Sequence, residues 1–123
     1  MSNNATRKIL IADDEEGIRE SLKLILGDIY NLILTVDGQQ CLEVLENSKD
    51  IGLVLLDIKM PQINGLDVLK LIKEKHPQLH VIMITGYKSV ETAAEAVKWG
   101  ASGYVTKPFK AEEVLESVRK NLK

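Results

Sequence analysis

Three short runs of uninterrupted apolar residues constrain the fold of this chain more than any other feature. The runs are ILIA at 9–12, LVLL at 53–56 and VIMI at 81–84. A strand with one face in water alternates apolar and polar side chains, whereas a strand buried on both faces is apolar throughout. The runs therefore predict central strands of a parallel sheet that is covered on both faces. Two less uniform segments, 32–36 and 104–106, predict edge strands of the same sheet.

Between the predicted strands, apolar residues recur with the spacing of amphipathic helices. Gly27 and Gly100 stand where a helix would end, and Pro77 lies just beyond another helix end. This alternation predicts an α/β fold, (βα)5, with helices on both faces of a doubly wound five-stranded parallel sheet. The residues expected to face the core, helix by helix, are Ile18, Leu22, Ile25 and Ile29; Cys41, Leu42 and Leu45; Val68, Leu69 and Ile72; Val90, Ala93, Ala94 and Val97; and Val114, Leu115, Val118 and Leu122.

The composition indicates one globular domain over residues 1–123, with residues 1–6 frayed. Apolar residues make up 45% and charged residues 28% of the chain, which is ordinary for a globular domain. A net charge of −2 argues against a nucleic-acid surface. The sequence has one cysteine, no apolar run near the ~20 residues that span a bilayer, and no signal peptide at its start. We therefore expect a cytoplasmic domain with no membrane segment.

Polar side chains follow the predicted strands at the edge where a doubly wound sheet binds its ligands. Asp13 and Asp14 follow the first strand, Asp57 follows the third, Thr85 closes the fourth and Lys107 follows the fifth. Two carboxylates about 4 Å apart repel by roughly 4 kcal/mol at an effective dielectric near 20. Three of them together would either raise their pKa values strongly or hold a cation. Oxygen ligands point to a hard ion, and Mg²⁺ suits a site completed by water and phosphate. Asp57 would then be placed to attack a phosphoryl group that Mg²⁺ and Lys107 neutralise.

Four stretches of the sequence resemble the receiver domains of two-component response regulators. They are ADDEE at 12–16, LLDIKMPQINGLDVL at 55–69, MITGY at 83–87 and GYVTKPF at 103–109. Each stretch alone is weak, but their order and spacing are specific, and the resemblance covers nearly the whole chain. It implies a flavodoxin-like strand order of 2-1-3-4-5.

The resemblance implies a phosphorylation site that depends on Mg²⁺. Asp57 matches the phosphoacceptor of the family, and Asp13 and Asp14 match the acidic pair that holds the metal together with Asp57. The backbone carbonyl of Lys59 matches a further metal ligand. Lys107 matches the lysine that pairs with the phosphoryl oxygens.

The resemblance also implies a switch that carries the signal away from this site. Thr85 matches the hydroxyl that turns toward the phosphoryl group, and Tyr104 matches the aromatic residue that then rotates inward. Judged from its own surroundings in the sequence, Tyr104 fits a static core aromatic equally well. The bond between Lys107 and Pro108 is similar to one that is cis in the family.

The activity implied by the resemblance is that of a switch, not of an enzyme with a separate substrate. The chain would catalyse only its own phosphorylation by a histidine kinase or phosphotransfer protein, and its own slow dephosphorylation. An output domain or target protein, which the sequence does not identify, would respond to the face of the fourth helix, fifth strand and fifth helix. Some family members dimerise there through an Asp before the Tyr. Here Ser102 and Gly103 precede Tyr104, so we expect an unphosphorylated monomer.

Three other functions and one structural role compete with this interpretation. A phosphatase of the haloacid dehalogenase type would place a second Asp two residues after its nucleophile, where this chain has Lys59. A flavodoxin-like FMN protein needs a phosphate-binding loop after the first strand, and the acidic ADDEEG would repel phosphate without a metal. A pseudo-receiver that only scaffolds a complex would not need the full set of charged residues. Asp14, taken alone, could simply cap the first helix.

Overall fold

Strands and helices alternate along the chain in the computed structural model, which describes residues 7–122. The segment expected to be frayed, 1–6, lies outside the described residues. None of the helices within 7–122 is long and apolar enough to cross a membrane. The elements are β1 (Lys8–Ala12), α1 (Glu16–Leu26), β2 (Asn31–Thr35), α2 (Gly38–Asn47), β3 (Ile51–Leu56), α3 (Gly65–Lys75), β4 (His80–Thr85), α4 (Val90–Lys98), β5 (Gly103–Thr106) and α5 (Ala111–Asn121).

The five strands form one parallel sheet in the order β2-β1-β3-β4-β5. This confirms the doubly wound (βα)5 fold and its predicted strand order. The three apolar runs lie in β1, β3 and β4, the central strands, where side chains on both faces are buried. The less uniform segments form the edge strands β2 and β5. β2 begins and ends one residue earlier than the sequence predicted.

Alternate side chains of the central strands enter two hydrophobic layers, one on each face of the sheet. Leu10 and Val54 pack with residues of α2 and α3 in one layer. Ile9 and Leu55 pack with residues of α1 and α5 in the other. Each apolar side chain buried in this way contributes roughly 1.5–3 kcal/mol. The two layers clamp the central strands from both sides and so fix where their carboxyl ends lie.

The core-facing prediction for the first helix is wrong at one residue. Ile29 lies beyond the end of α1 and is 62% exposed. The helix ends at Gly27, as the sequence indicated. A tight turn follows, in which the N–H groups of Ile29 and Tyr30 both donate to the carbonyl of Leu26. This turn points Ile29 outward and places Tyr30 against the core instead.

The predicted buried face of the fourth helix is also wrong. Val90 and Val97 are 81% and 65% exposed, and Ala94 faces solvent as well. In the described chain, Ala96 is the α4 residue that is fully buried. The helix carries two apolar stripes at helical spacing, one containing the valines and one containing Ala93 and Ala96, so periodicity cannot decide between them. The structure packs the small alanine against the sheet and leaves the valines exposed.

Candidate functional site

Four strand ends bring the predicted site residues to one edge of the sheet. Parallel hydrogen bonding continues one residue beyond the strands and fixes the backbone of the site. The Asp57 N–H donates to the carbonyl of Ala12 at 3.0 Å, and the Lys107 N–H donates to the carbonyl of Thr85 at 2.8 Å. The sheet itself therefore sets the spacing between these residues, as the (βα)5 prediction required.

Asp13, Asp14 and Asp57 form a cluster of carboxylates at this edge. Each offers one oxygen, and the three oxygens lie within 4.8 Å of one another. Asp13 and Asp57 are 2% and 3% exposed, whereas Asp14 faces solvent. Burial raises the pKa of Asp13 above its usual range, although hydrogen bonds from the Glu15 backbone and from Lys107 oppose the change. Carboxylate oxygens this close together repel one another, and a small hard cation such as Mg²⁺ would offset that repulsion.

Lys107 reaches into the same cluster with its ammonium group. Its Nζ lies 2.9 Å from Asp13 Oδ2, 3.1 Å from Asp57 Oδ2 and 2.7 Å from Glu15 Oε1. Burial alone would lower the pKa of Lys107, but hydrogen bonds to the three carboxylates outweigh it and raise that pKa above its usual range. The lysine is therefore a fixed positive charge beside Asp57. The bond between Lys107 and Pro108 is cis, as the resemblance implied.

The backbone after Asp57 folds back tightly on itself. The Ile58 N–H donates to Asp57 Oδ1 at 2.7 Å, and the Gly65 N–H donates to the Ile58 carbonyl at 2.7 Å. Gly65 lies so close to the strand end that an added Cβ would stand 1.9 Å from the Asp57 carbonyl oxygen. Asn64 precedes it and caps α3, its side-chain oxygen accepting from the Asp67 N–H at 3.0 Å. The loop thus binds Asp57 Oδ1, while Asp57 Oδ2 faces Lys107.

Thr85 and Tyr104 both bind the backbone of one intervening residue, Tyr87. The Thr85 hydroxyl accepts from the Tyr87 N–H at 3.3 Å. The Tyr104 hydroxyl donates to the Tyr87 carbonyl at 2.6 Å. Thr85 is 1% exposed, whereas Tyr104 is only partly buried and packs at the margin of the core. The two residues expected to form a switch are therefore joined through a single peptide segment.

A cavity of about 470 Å³ opens at the carboxylate cluster. Its walls come from all the strand ends named above, and Lys59 contributes to them as well. This volume is in the lower range for small-molecule sites. The lining residues are Asp14, Glu15, Asp57, Lys59, Thr85, Gly86, Tyr87 and Lys107.

Two details of the site differ from simpler interpretations of the sequence. Glu15 occupies the N-cap position of α1, so the alternative in which Asp14 merely caps this helix is wrong. The ion pair between Glu15 and Lys107 was not predicted. The sequence shows Glu15 as the third acidic residue of ADDEE. Its contact with Lys107, 92 residues further along the chain, is visible only in the folded structure.

Known proteins resemble this chain over most of its length. The profile of the response regulator receiver domain matches residues 9–119. The chain is 38% identical over 113 residues to the transcriptional regulatory protein CpxR of Escherichia coli, covering 91% of this chain and 47% of CpxR. It spans between 23% and 47% of the length of such curated relatives.

Solved structures show the same similarity over nearly the full chain. A CheY-like receiver domain protein from Methanospirillum hungatei superimposes with a TM-score of 0.89 at 32% identity, covering 96% of this chain and 94% of the other. A chain of the CheX–CheY–BeF3–Mg²⁺ complex from Borrelia burgdorferi gives a TM-score of 0.87 at 28% identity, with 93% and 87% covered. This chain belongs to the receiver domain family of two-component response regulators, in which phosphorylation acts as a switch.

Proposed function

We propose that this chain accepts a phosphoryl group on Asp57 from a histidine kinase or phosphotransfer protein, in a reaction that depends on Mg²⁺. One observation carries the proposal: Asp57 Oδ2 lies 3.1 Å from the Lys107 ammonium, inside a cavity where Asp13 and Asp14 supply two further carboxylates. The proposal covers residues 1–123 as one receiver domain, monomeric while unphosphorylated.

In the proposed reaction, a carboxylate oxygen of Asp57 attacks the phosphorus atom of the donor. The phosphorus–nitrogen bond of the donor phosphohistidine breaks, and its electron pair stays on the imidazole nitrogen. The Ile58 N–H holds Asp57 Oδ1 during this attack. Lys107, already beside Oδ2, binds the oxygens of the incoming phosphoryl group. The same groups act on the chain's own phosphate, so the protein is a switch and not an enzyme with a separate substrate.

Asp13, Asp14 and Asp57 would hold the metal, together with the backbone carbonyl of Lys59. The chain brings three carboxylate oxygens within 4.8 Å of one another, and ligands of this kind prefer Mg²⁺ over softer ions. The Borrelia burgdorferi complex, a structural relative, was solved with Mg²⁺ and BeF3. When bound, Mg²⁺ would neutralise charge that develops on the phosphoryl oxygens.

Incubation with acetyl phosphate and Mg²⁺ tests the proposed reaction. We expect intact-mass spectrometry to show a gain of one phosphoryl group, stable in acid and lost in base, because an acyl phosphate is a mixed anhydride whose carbonyl carbon hydroxide attacks readily. EDTA should prevent the gain. Asp14→Asn should raise the Mg²⁺ concentration needed for half-maximal labelling about tenfold, since a loss of about 1.4 kcal/mol in metal binding has that effect.

The matched control is Asp28→Asn, which removes an exposed carboxylate outside the cluster and should leave the Mg²⁺ requirement unchanged. A chain that takes up no phosphoryl group from acetyl phosphate at saturating Mg²⁺ would instead support the scaffold function. Labelling that persists in EDTA would contradict the role of the metal.

We further propose that phosphorylation alters the face formed by α4, β5 and α5. Thr85 turns toward the phosphoryl group and gives up the hydrogen bond that it accepts from the Tyr87 N–H. The carbonyl of the same Tyr87 accepts a hydrogen bond from the Tyr104 hydroxyl, so a shift of Tyr87 reaches Tyr104. The α4 helix that follows has Ala96 as its buried anchor, so little packing energy opposes a shift of this helix. The exposed Val90 and Val97 then form part of the surface that an output domain or target protein would read.

Thr85→Ala should separate phosphorylation from this response. We expect beryllofluoride with Mg²⁺ to shift backbone amide NMR signals of residues 86–106 in the wild-type protein more than those of residues 38–50. In Thr85→Ala the shifts over 86–106 should shrink while Asp57 still accepts phosphate. Thr85→Ser, which keeps the hydroxyl, should respond as the wild type does. Full retention of the response in Thr85→Ala would place the coupling elsewhere.

A further inference from the structure

We propose that Glu15 restrains Lys107 in the unphosphorylated protein and must release it before Lys107 can bind a phosphoryl group. Glu15 is thus a positioning residue that weakens binding of the anion. The inference rests on the proposed function, because it assigns the competitor that a phosphoryl group meets at Lys107.

The hydrogen-bonding capacity of Lys107 carries the first step. An ammonium group has three N–H donors, and Lys107 has three carboxylate partners: Glu15 at 2.7 Å, Asp13 at 2.9 Å and Asp57 at 3.1 Å. All three donors are therefore engaged. A phosphoryl oxygen can bind this ammonium group only if one carboxylate gives up its place.

Burial decides which carboxylate gives way. The side chains of Asp13 and Asp57 are each 3% exposed, so neither can turn into water without moving the backbone. Both are also fixed by other bonds, since Asp13 Oδ1 accepts the Glu15 N–H at 2.9 Å and Asp57 Oδ1 accepts the Ile58 N–H. The Glu15 side chain is 61% exposed. Its carboxylate can rotate into solvent at the least cost.

The position of Glu15 on its helix supports this assignment independently. Glu15 is the N-cap residue of α1, a position at which short side chains such as Asp or Ser usually accept a hydrogen bond from the first turn. Within residues 7–122 its side chain makes no such capping bond, and its Oε1 lies at Lys107 instead. The side chain therefore lies against Lys107 and forms part of the cavity wall.

The size of the effect follows from the exposure of the pair. Half-exposed ion pairs contribute little to binding or stability, so removing this one should change the affinity for an anion by about two- to fivefold and not by orders of magnitude. The direction of the change in affinity follows from the charge of Glu15. A carboxylate in the cavity wall both competes for Lys107 and repels an incoming anion. Glu15→Gln removes the repulsion and weakens the competition, because a neutral amide oxygen binds an ammonium group less strongly than a carboxylate does.

Titration with beryllofluoride at saturating Mg²⁺, followed by NMR, tests the inference. We expect Glu15→Gln to bind beryllofluoride about two- to fivefold more tightly than the wild type. The side-chain ammonium signal of Lys107 should also shift in Glu15→Gln before any beryllofluoride is added, because a charged hydrogen-bond partner is replaced by a neutral amide. Glu16→Gln provides the matched control, since it removes the same charge from the adjacent exposed residue; it should change neither reading.

Each result decides one question. Equal or weaker binding by Glu15→Gln would overturn the inference, and so would an equal gain in Glu16→Gln, because the effect would then be one of net charge. A wild-type protein that does not bind beryllofluoride would overturn the proposed function itself. Misfolding is not expected to obscure the result, because Glu15 is a surface side chain.

Discussion

Asp57→Asn should abolish acyl phosphate formation with acetyl phosphate and Mg²⁺, reducing the label to background in intact-mass spectrometry. An amide oxygen lacks the charge of a carboxylate and is a poor nucleophile toward phosphorus. The substitution keeps the shape of the side chain, and the amide oxygen can still accept the Ile58 N–H that Asp57 Oδ1 accepts now. The loss should therefore reflect chemistry and not a collapsed site, which an unchanged circular dichroism spectrum would verify.

Asp67→Asn provides the control for this result. Asp67 lies in the first turn of α3, with a side chain that is 57% exposed, so its loss changes the net charge by the same amount near the same loop. We expect full labelling of this variant. If Asp57→Asn still gained an acid-stable, base-labile phosphoryl group, another carboxylate would be the acceptor and the assignment of Asp57 would be wrong.

Gly65→Ala should have the largest effect on stability of any single-methyl change near the site. An ideal Cβ at Gly65 would stand 1.9 Å from the Asp57 carbonyl oxygen and 2.7 Å from Ile58 Cα. These are backbone atoms, and the strand end is anchored by the Asp57 N–H bond to Ala12. Overpacking of this kind costs roughly 1–3 kcal/mol or more. Urea unfolding should show the loss, and the initial rate of labelling by acetyl phosphate should fall because Asp57 is displaced.

Gly17→Ala is the matched control for the same chemical change. Gly17 is the second residue of α1 and has nothing within 4 Å of an added Cβ. Alanine is favoured over glycine in the middle of a helix by roughly 0.5–1 kcal/mol and by less in the first turn, so this variant should be at least as stable as the wild type and should label normally. If Gly65→Ala unfolded at the same urea concentration as the wild type, the close approach to Asp57 would be disproved.

The sheet could be predicted from the sequence because its signal is redundant. The runs around Leu10, Val54 and Ile82 are apolar at every position, so a shift of one residue would still leave them buried on both faces. The face of α4 could not be predicted in the same way. Val90 and Val97 are the larger apolar residues, yet the helix buries Ala96. Both apolar stripes have helical spacing, so the sequence pattern does not decide between them.

Some contacts of the site could likewise be predicted from the sequence, and others could not. Asp57 and Lys107 could be placed together because each follows a strand, and strand ends converge by topology alone. The contact between Glu15 and Lys107 could not be placed, because it depends on the rotation of two long side chains. The same limit applies to Gly65, because its close approach to Asp57 depends on the path of the loop backbone.

The ends of four parallel strands supply the proposed site, and this has a consequence for protein synthesis. Asp13 leaves the ribosome early, whereas Lys107 is among the last residues of the domain to emerge. The sheet order places β1 in the interior, between β2 and β3, and β5 at an edge beyond β4, so the ammonium group joins the carboxylates only when the last strand docks. Until then the carboxylates lack the cation that balances them. On the proposed function, a chain that lacks β5 would lack Lys107 at the site, so we expect competence for phosphorylation only once all five strands of the domain have docked.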